Sequence, residues 1–96
     1  MGTVECGDFE WDDAKAAANE KKHGVAFVEA ATVFDDVDLL VNVDPVDPLR
    51  FVAVGFSNVA RVLVVVHATR RERTRLISAR RATLREERFY AERRTR

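Results

Sequence analysis

A histidine closes a run of valines in VLVVVHATR, and the twelve residues from 70 to 81 hold six arginines. His67 has an unperturbed pKa of about 6.5, which suits proton transfer at neutral pH, and cationic neighbours favour the neutral form that acts as a base. Arginine presents a planar fork of donors that matches phosphate oxygens and can stabilise negative charge developing at phosphorus. These are the ingredients of a site that grips and cleaves a phosphodiester chain such as RNA. Tyr90, the only tyrosine, follows Phe89 on a C-terminal helix, where it can stack on a base or donate its proton. Lys22 and His23 sit at a helix end just before Gly24, a geometry that exposes them. Each has a plainer reading: His67 as a partly buried strand residue, Tyr90 as a core-edge aromatic, Lys22 and His23 as dipole compensation, the turn arginines Arg70, Arg71 and Arg73 as a solvated face.

The elements that must position these groups follow from periodicity. FEWD alternates in strand fashion, and Asp12 or Asp13 can cap a helix through DAKAAANEKKH that Gly24 closes. Phe27, Ala30, Ala31 and Phe34 stand at i, i+3, i+4 and i+7, which predicts a second helix over residues 26–35. From there β-branched residues dominate, and strands are expected over 38–43, 50–57, 61–69 and 73–81, joined by connections short enough to force antiparallel neighbours. The unbroken apolar run VLVVV marks a central strand covered on both faces. Thr83 and Glu86 form a capping box that opens a last helix. The expected architecture is therefore α+β, in the order β-α-α-β-β-β-β-α, with an antiparallel meander packed by helices. One domain spans residues 1–96, with 1–7 and 93–96 frayed.

Pairing Thr69 with Thr74 across the hairpin would place Leu76 opposite His67. Arg80 would then share the face of His67, while Arg75 and Arg81 share the other, unless a bulge in the turn reverses the assignment.

The chain carries no net charge, but that neutrality is a cancellation. Residues 1–48 hold three lysines against twelve carboxylates, net −9, and residues 49–96 hold thirteen arginines against four glutamates, net +9. Such a split predicts either a basic face for nucleic acid or two halves that neutralise each other across the fold. No apolar run reaches the roughly 18–20 residues of a membrane span, and the start lacks a signal-peptide pattern, so a cytosolic protein without membrane association is expected. Cys6 alone cannot form an internal disulfide. Glu10, Asp12, Asp13, Asp35 and Asp36 match no metal-binding spacing, so neither a metal nor another cofactor is expected.

Taken together, FEWDDAKAAANEKKHGVAFVEAATVFDD, RFVAVGFS, VLVVVHATR and RLISARRATLREERFYAE resemble the BrnT toxins of bacterial type II toxin–antitoxin systems, over roughly residues 8–92. The resemblance implies a compact RelE-like fold, cleavage of RNA with growth arrest, and inhibition by a co-encoded BrnA-like ribbon-helix-helix antitoxin through which the complex binds its own operator DNA. The matching positions are Lys22, His23, Arg50, His67, Arg80, Arg81 and Tyr90. The chain departs from the family at Ala26, where relatives carry a residue able to cap the second helix, and in the short DPVDPL connection. The mechanism expected is metal-independent attack of a 2′-hydroxyl on the adjacent phosphorus. His67, Arg80 and Tyr90 are the expected catalytic residues, and Lys22, His23, Arg50, Arg75 and Arg81 the phosphate contacts. The rival readings are a non-enzymatic arginine-rich module that only binds RNA or a protein, and an inert domain whose two halves pair.

Overall fold

In the computed structural model, which describes residues 2–94, a six-stranded sheet runs in the order β1-β2-β6-β5-β4-β3. The strands are β1 (Thr3–Cys6), β2 (Phe9–Asp12), β3 (Leu40–Val43), β4 (Phe51–Phe56), β5 (Val62–Arg70) and β6 (Arg73–Arg81). The last four form the expected antiparallel meander. The helices are α1 (Asp13–His23), α2 (Phe27–Ala31) and α3 (Leu84–Arg94). One expectation needs correction at the N-terminus. Residues 3–6 are not frayed but pair with β2 as an added hairpin, and β2 lies parallel to β6 through Phe9 opposite Thr74 and Glu10 opposite Arg75. At the other end, Arg93 and Arg94 belong to α3, while residues 1, 95 and 96 lie outside the described residues.

Local chemistry explains the helix bounds. The Asp12 carboxylate accepts from the Lys15 N–H at 3.0 Å, and Gly24, at φ 69°, donates to the Glu20 carbonyl, so α1 starts and stops where its caps dictate. The second helix is shorter than its apolar period suggests. Ala26 offers no capping oxygen, and the Thr32 hydroxyl donates back to the Glu29 carbonyl at 2.6 Å, so α2 tightens after one turn into a 3₁₀ segment, Thr32–Asp35. The capping box holds, with the Thr83 N–H on Glu86 at 2.8 Å and the Glu86 N–H on the Thr83 hydroxyl at 3.2 Å.

The two sheet faces are covered differently. Trp11, Phe27, Ala30, Val33, Leu63, Val65 and Ala79 build the core under α1 and α2, with Trp11 meeting Phe27 edge-on at 6.0 Å. Val62 and Val64 are buried on the other face, whose row Leu40, Val54, Val64 and Arg80 is met by α3 through Glu86. The valine run is thus central and covered on both sides, as its composition predicts. Asn19 ties the helical layer to the sheet. Its amide donates to the Ala79 carbonyl at 2.9 Å and to the Val25 carbonyl at 3.0 Å, and accepts from the Ala79 N–H at 3.0 Å. It stands in for a neighbouring strand where the short pairing of β2 with β6 has ended.

The register contains one irregularity on which the site depends. Thr69 pairs with Thr74 and His67 with Leu76, but Val66 pairs with Ser78, so Ile77 is an extra residue in β6. The turn is therefore regular and the bulge lies inside the strand. Beyond Ile77 every side chain of β6 changes face. Arg80 sits opposite Val64 and Arg81 opposite Leu63, so Arg81 shares the face of His67, while Arg75 and Arg80 share the other. The expected convergence of His67 with Arg80 is overturned for that reason.

Replacing Asn19 with Ala leaves the Ala79 N–H and C=O buried without partners and should cost about 2–4 kcal/mol in denaturant unfolding. Ala60 occupies the left-handed region at φ 62° in the turn closed by the Ser57 N–H on the Arg61 carbonyl. Ala60→Gly should accordingly stabilise the chain by about 0.5–1 kcal/mol, read from the unfolding midpoint at unchanged m-value.

Candidate nucleic-acid interface

At the end of the sheet away from α3's Tyr90, Arg75 of β6 lies opposite Ala68 of β5, and Arg50 precedes β4 one residue before the pair of Phe51 with His67. Two long arginines thus flank a methyl group. The result is a groove of about 260 Å³ lined by Arg50, Ala68 and Arg75 together with Lys15, Asp12 and Asp47. Arg75 is held extended by Glu10, its Nη1 2.6 Å from the buried carboxylate, and Arg70 approaches the same carboxylate at 3.8 Å. Arg50 is the freer of the two, with Nε 3.4 Å from Asp47 and both side chains about two-fifths exposed. Lys15 reaches the groove because Asp12 caps α1 in the strand that borders it. Its only sequence signal is its place three residues after the FEWD strand, and the reading from residue types did not select it.

The remaining expected site residues are dispersed. His67 packs against the helical face, 9 % exposed, between Phe34 at 4.9 Å edge-on and Phe51 stacked at 5.6 Å. Its Nε2 is buried with no hydrogen-bond partner among the described residues, and burial lowers its pKa. The neutral state expected for His67 is therefore present, but desolvation by aromatic rings produces it, not nearby guanidinium. Arg80 binds Glu86 bidentately at 2.8 and 2.9 Å, which pulls the Glu86 pKa down to about 2 and raises that of Arg80. Tyr90 is buried, and its hydroxyl donates to Asp36, which also accepts from the Phe56 and Asp38 N–H groups. Burial first, and Asp36 second, push the Tyr90 pKa up to about 12. A side chain so enclosed neither stacks on a base nor donates a proton to one.

Lys22 and His23 end α1, about 10 Å along its axis from Lys15, beside Gly24, whose carbonyl accepts from Arg61. Arg81 is on the helical face, close enough to Glu29 to help lower its pKa behind the stronger pull of Arg61. Of the five expected phosphate contacts, Arg50 and Arg75 come together and Lys22, His23 and Arg81 do not. Arg80 shares the face of Arg75 roughly 15 Å further along β6. Six of the seven ion pairs among the described residues join the acidic half to the basic half. The charge split is thus partly an internal pairing, which leaves Arg71, Arg81, Arg85, Arg88 and Arg93 without an ion pair among the described residues, Arg81 acting on Glu29 only at longer range.

A meander extended by an N-terminal hairpin, with helices on both faces and a cationic groove at one end, defines a small α+β protein of the RelE-like kind. The crystal structure of the Brucella abortus ribonuclease toxin BrnT superposes with a TM-score of 0.59 at 25 % identity, covering 76 % of this chain and 92 % of that one. The model of the family described as "Ribonuclease toxin, BrnT, of type II toxin-antitoxin system" matches residues 11–86. The chain belongs to the BrnT family, ribonuclease toxins that act on RNA and are paired with an antitoxin. Comparison with curated proteins gives no match. No helix among the described residues is long and apolar enough to cross a membrane.

Because the folded pKa of His67 is depressed, the unfolded chain takes up a proton first as the pH falls through about 6.5, and stability present above that value is lost below it. The unfolding midpoint should drop between pH 7 and pH 5. In His67→Phe, which fills the same aromatic slot and removes the unpartnered Nε2, that drop should disappear and stability at pH 5.5 should rise.

Proposed function

We propose that this toxin cleaves single-stranded RNA, without a metal, through the groove between Arg50 and Arg75. The observation that carries the reading is the convergence of two arginines and a lysine around one groove that holds a residue as small as Ala68. Lys15 and Arg50 contact the phosphates flanking the scissile bond. Arg75, aimed by Glu10, faces the phosphorus that the 2′-hydroxyl attacks, where its fixed donors stabilise the charge of the pentacoordinate state. Asp47 is the acceptor within the same groove for the hydroxyl proton, the leaving 5′-oxygen takes a proton from solvent, and a 2′,3′-cyclic phosphate results.

In this reading Arg80 continues the cationic track, Tyr90 fixes α3 so that Glu86 can hold Arg80, and His67 packs the strand end behind Ala68. Lys22, His23 and Arg81, at the other end, contact only a longer RNA. In the cell the protein is a cytoplasmic growth inhibitor of the mRNA-interferase type. A BrnA-like ribbon-helix-helix antitoxin silences it and carries the complex to operator DNA.

The test is cleavage of a labelled single-stranded RNA by the purified chain, with product ends mapped and growth arrest scored on induction. Arg50→Ala should lower the rate at least tenfold while shifting stability by no more than about 0.5 kcal/mol, since its partner is exposed. It should also flatten the salt dependence of RNA binding by about 0.7 in log–log slope. His67→Phe should retain cleavage. Full activity in Arg50→Ala, with activity lost in a folded His67→Phe, would return the chemistry to the helical face. RNA binding without cyclic-phosphate products would favour a module that only binds.

A further inference from the structure

β3 is an edge of the sheet, and its outward backbone has no partner among the described residues. The Asp44 N–H donates to the Arg50 carbonyl, so by the alternation of an antiparallel ladder Leu40 and Asn42 turn their peptide groups to β4, and Val41 and Val43 turn theirs to the free side. Natural edges are blunted by lysines, prolines or bulges. This one instead carries valines 47 % and 56 % exposed. Beside it runs α3, whose residues Arg85, Phe89 and Arg93 stand at i, i+4 and i+8 in one stripe. Phe89 is half exposed, and the Arg93 guanidinium lies 4.8 Å over its ring. Leu40, Val41, Asn42, Phe89 and Arg93 line a shared groove of about 170 Å³, and Arg85 and Arg88 flank Phe89 on its outer side.

A strand edge facing a helix across an apolar groove is the geometry that accepts an extended peptide as an added strand. Four residues of β3 and the nine-residue stripe of α3 from Arg85 to Arg93 each span about 12–13 Å, the length of a four-residue extended segment. The charge selects its composition. Arg85, Arg88 and Arg93 have no carboxylate ion-pair partner among the described residues, and the Arg93 guanidinium lies over the Phe89 ring. We infer that this edge and stripe bind an acidic segment of a protein partner, with backbone bonds to Val41 and Val43, an apolar side chain on Phe89, and carboxylates on Arg85, Arg88 and Arg93. A nucleic acid would leave the peptide edge unpaired and set its phosphates beside Asp38 and Asp44, which bracket β3. Resting on the toxin–antitoxin reading, the inference makes the antitoxin that partner and places it away from the Arg50 groove.

The experiment co-expresses the chain with the protein encoded in the frame adjoining its gene, and measures amide hydrogen exchange by residue in the free chain and in the complex. Slowed exchange at Val41 and Val43, at least tenfold weaker binding by Val43→Pro and by the surface double variant Arg88→Glu/Arg93→Glu, and unchanged RNA cleavage by both free variants are expected. The double variant keeps the test decisive if the proline unfolds the edge. A complex that protects other amides and tolerates both variants overturns the groove and leaves the toxin–antitoxin reading intact. Absence of any complex overturns both. Protection of the same two amides by a 20-nucleotide single-stranded RNA, in place of the protein, assigns the surface to nucleic acid and overturns the inference.

Discussion

The buried amide of Asn19 does what a seventh strand would otherwise do. β2 pairs with β6 at only two positions, and beyond them the backbone of β6 would face the helical layer with unmet donors and acceptors. Asn19 satisfies both polar groups of Ala79, two residues past Ile77, and so pins the strand immediately after its bulge. Hydrogen-bonding groups enclosed in an apolar layer have no water to turn to, which makes this register strongly preferred over a slip by one residue. The placement of every arginine on β6 follows from that constraint.

The bulge sorts charge by face. Were β6 regular through Ile77, Arg75 and Arg80 would point to opposite sides, because five residues along a regular strand is an odd count. With it they share a surface that α3 covers at one end and leaves open at the other. The open end becomes the Arg50 and Arg75 groove, and the covered end locks Arg80 against Glu86. The helical face receives His67, where Phe34 and Phe51 exclude water. Carboxylates of the first half then neutralise much of the second. The pairing is uneven in consequence, since Glu10 and Glu29 are shielded within the fold while Asp47 and Glu5 meet their arginines in solvent, where such pairs contribute little.

Much of this was legible in advance. Periodicity located the meander and both long helices, and Asp12, Gly24 and the Thr83–Glu86 pair marked their ends, because caps and amphipathic faces depend on neighbours within a few residues. The N-terminal hairpin was missed, since TVEC and FEWD are too short to announce pairing and gain it only by stacking on β6. The truncation of α2 follows from Thr32, whose hydroxyl turns back onto the Glu29 carbonyl where the helix tightens, a contact that the apolar period does not announce.

The candidate site divides along the same line. Residue types alone pointed to phosphate chemistry, to His67 as a neutral imidazole and to the arginines of β6, because guanidinium geometry and imidazole basicity belong to the side chains themselves, while Arg50 was singled out only by the family resemblance. Which of them could meet was decided by the tertiary structure. One inserted residue in β6 reversed the faces, burial enclosed Tyr90 and His67, and a helix cap brought Lys15 to a groove that no linear spacing describes. Sequence specifies what each side chain can do over a few residues. The face it occupies depends on register, and register is settled by hydrogen bonds between segments sixty residues apart.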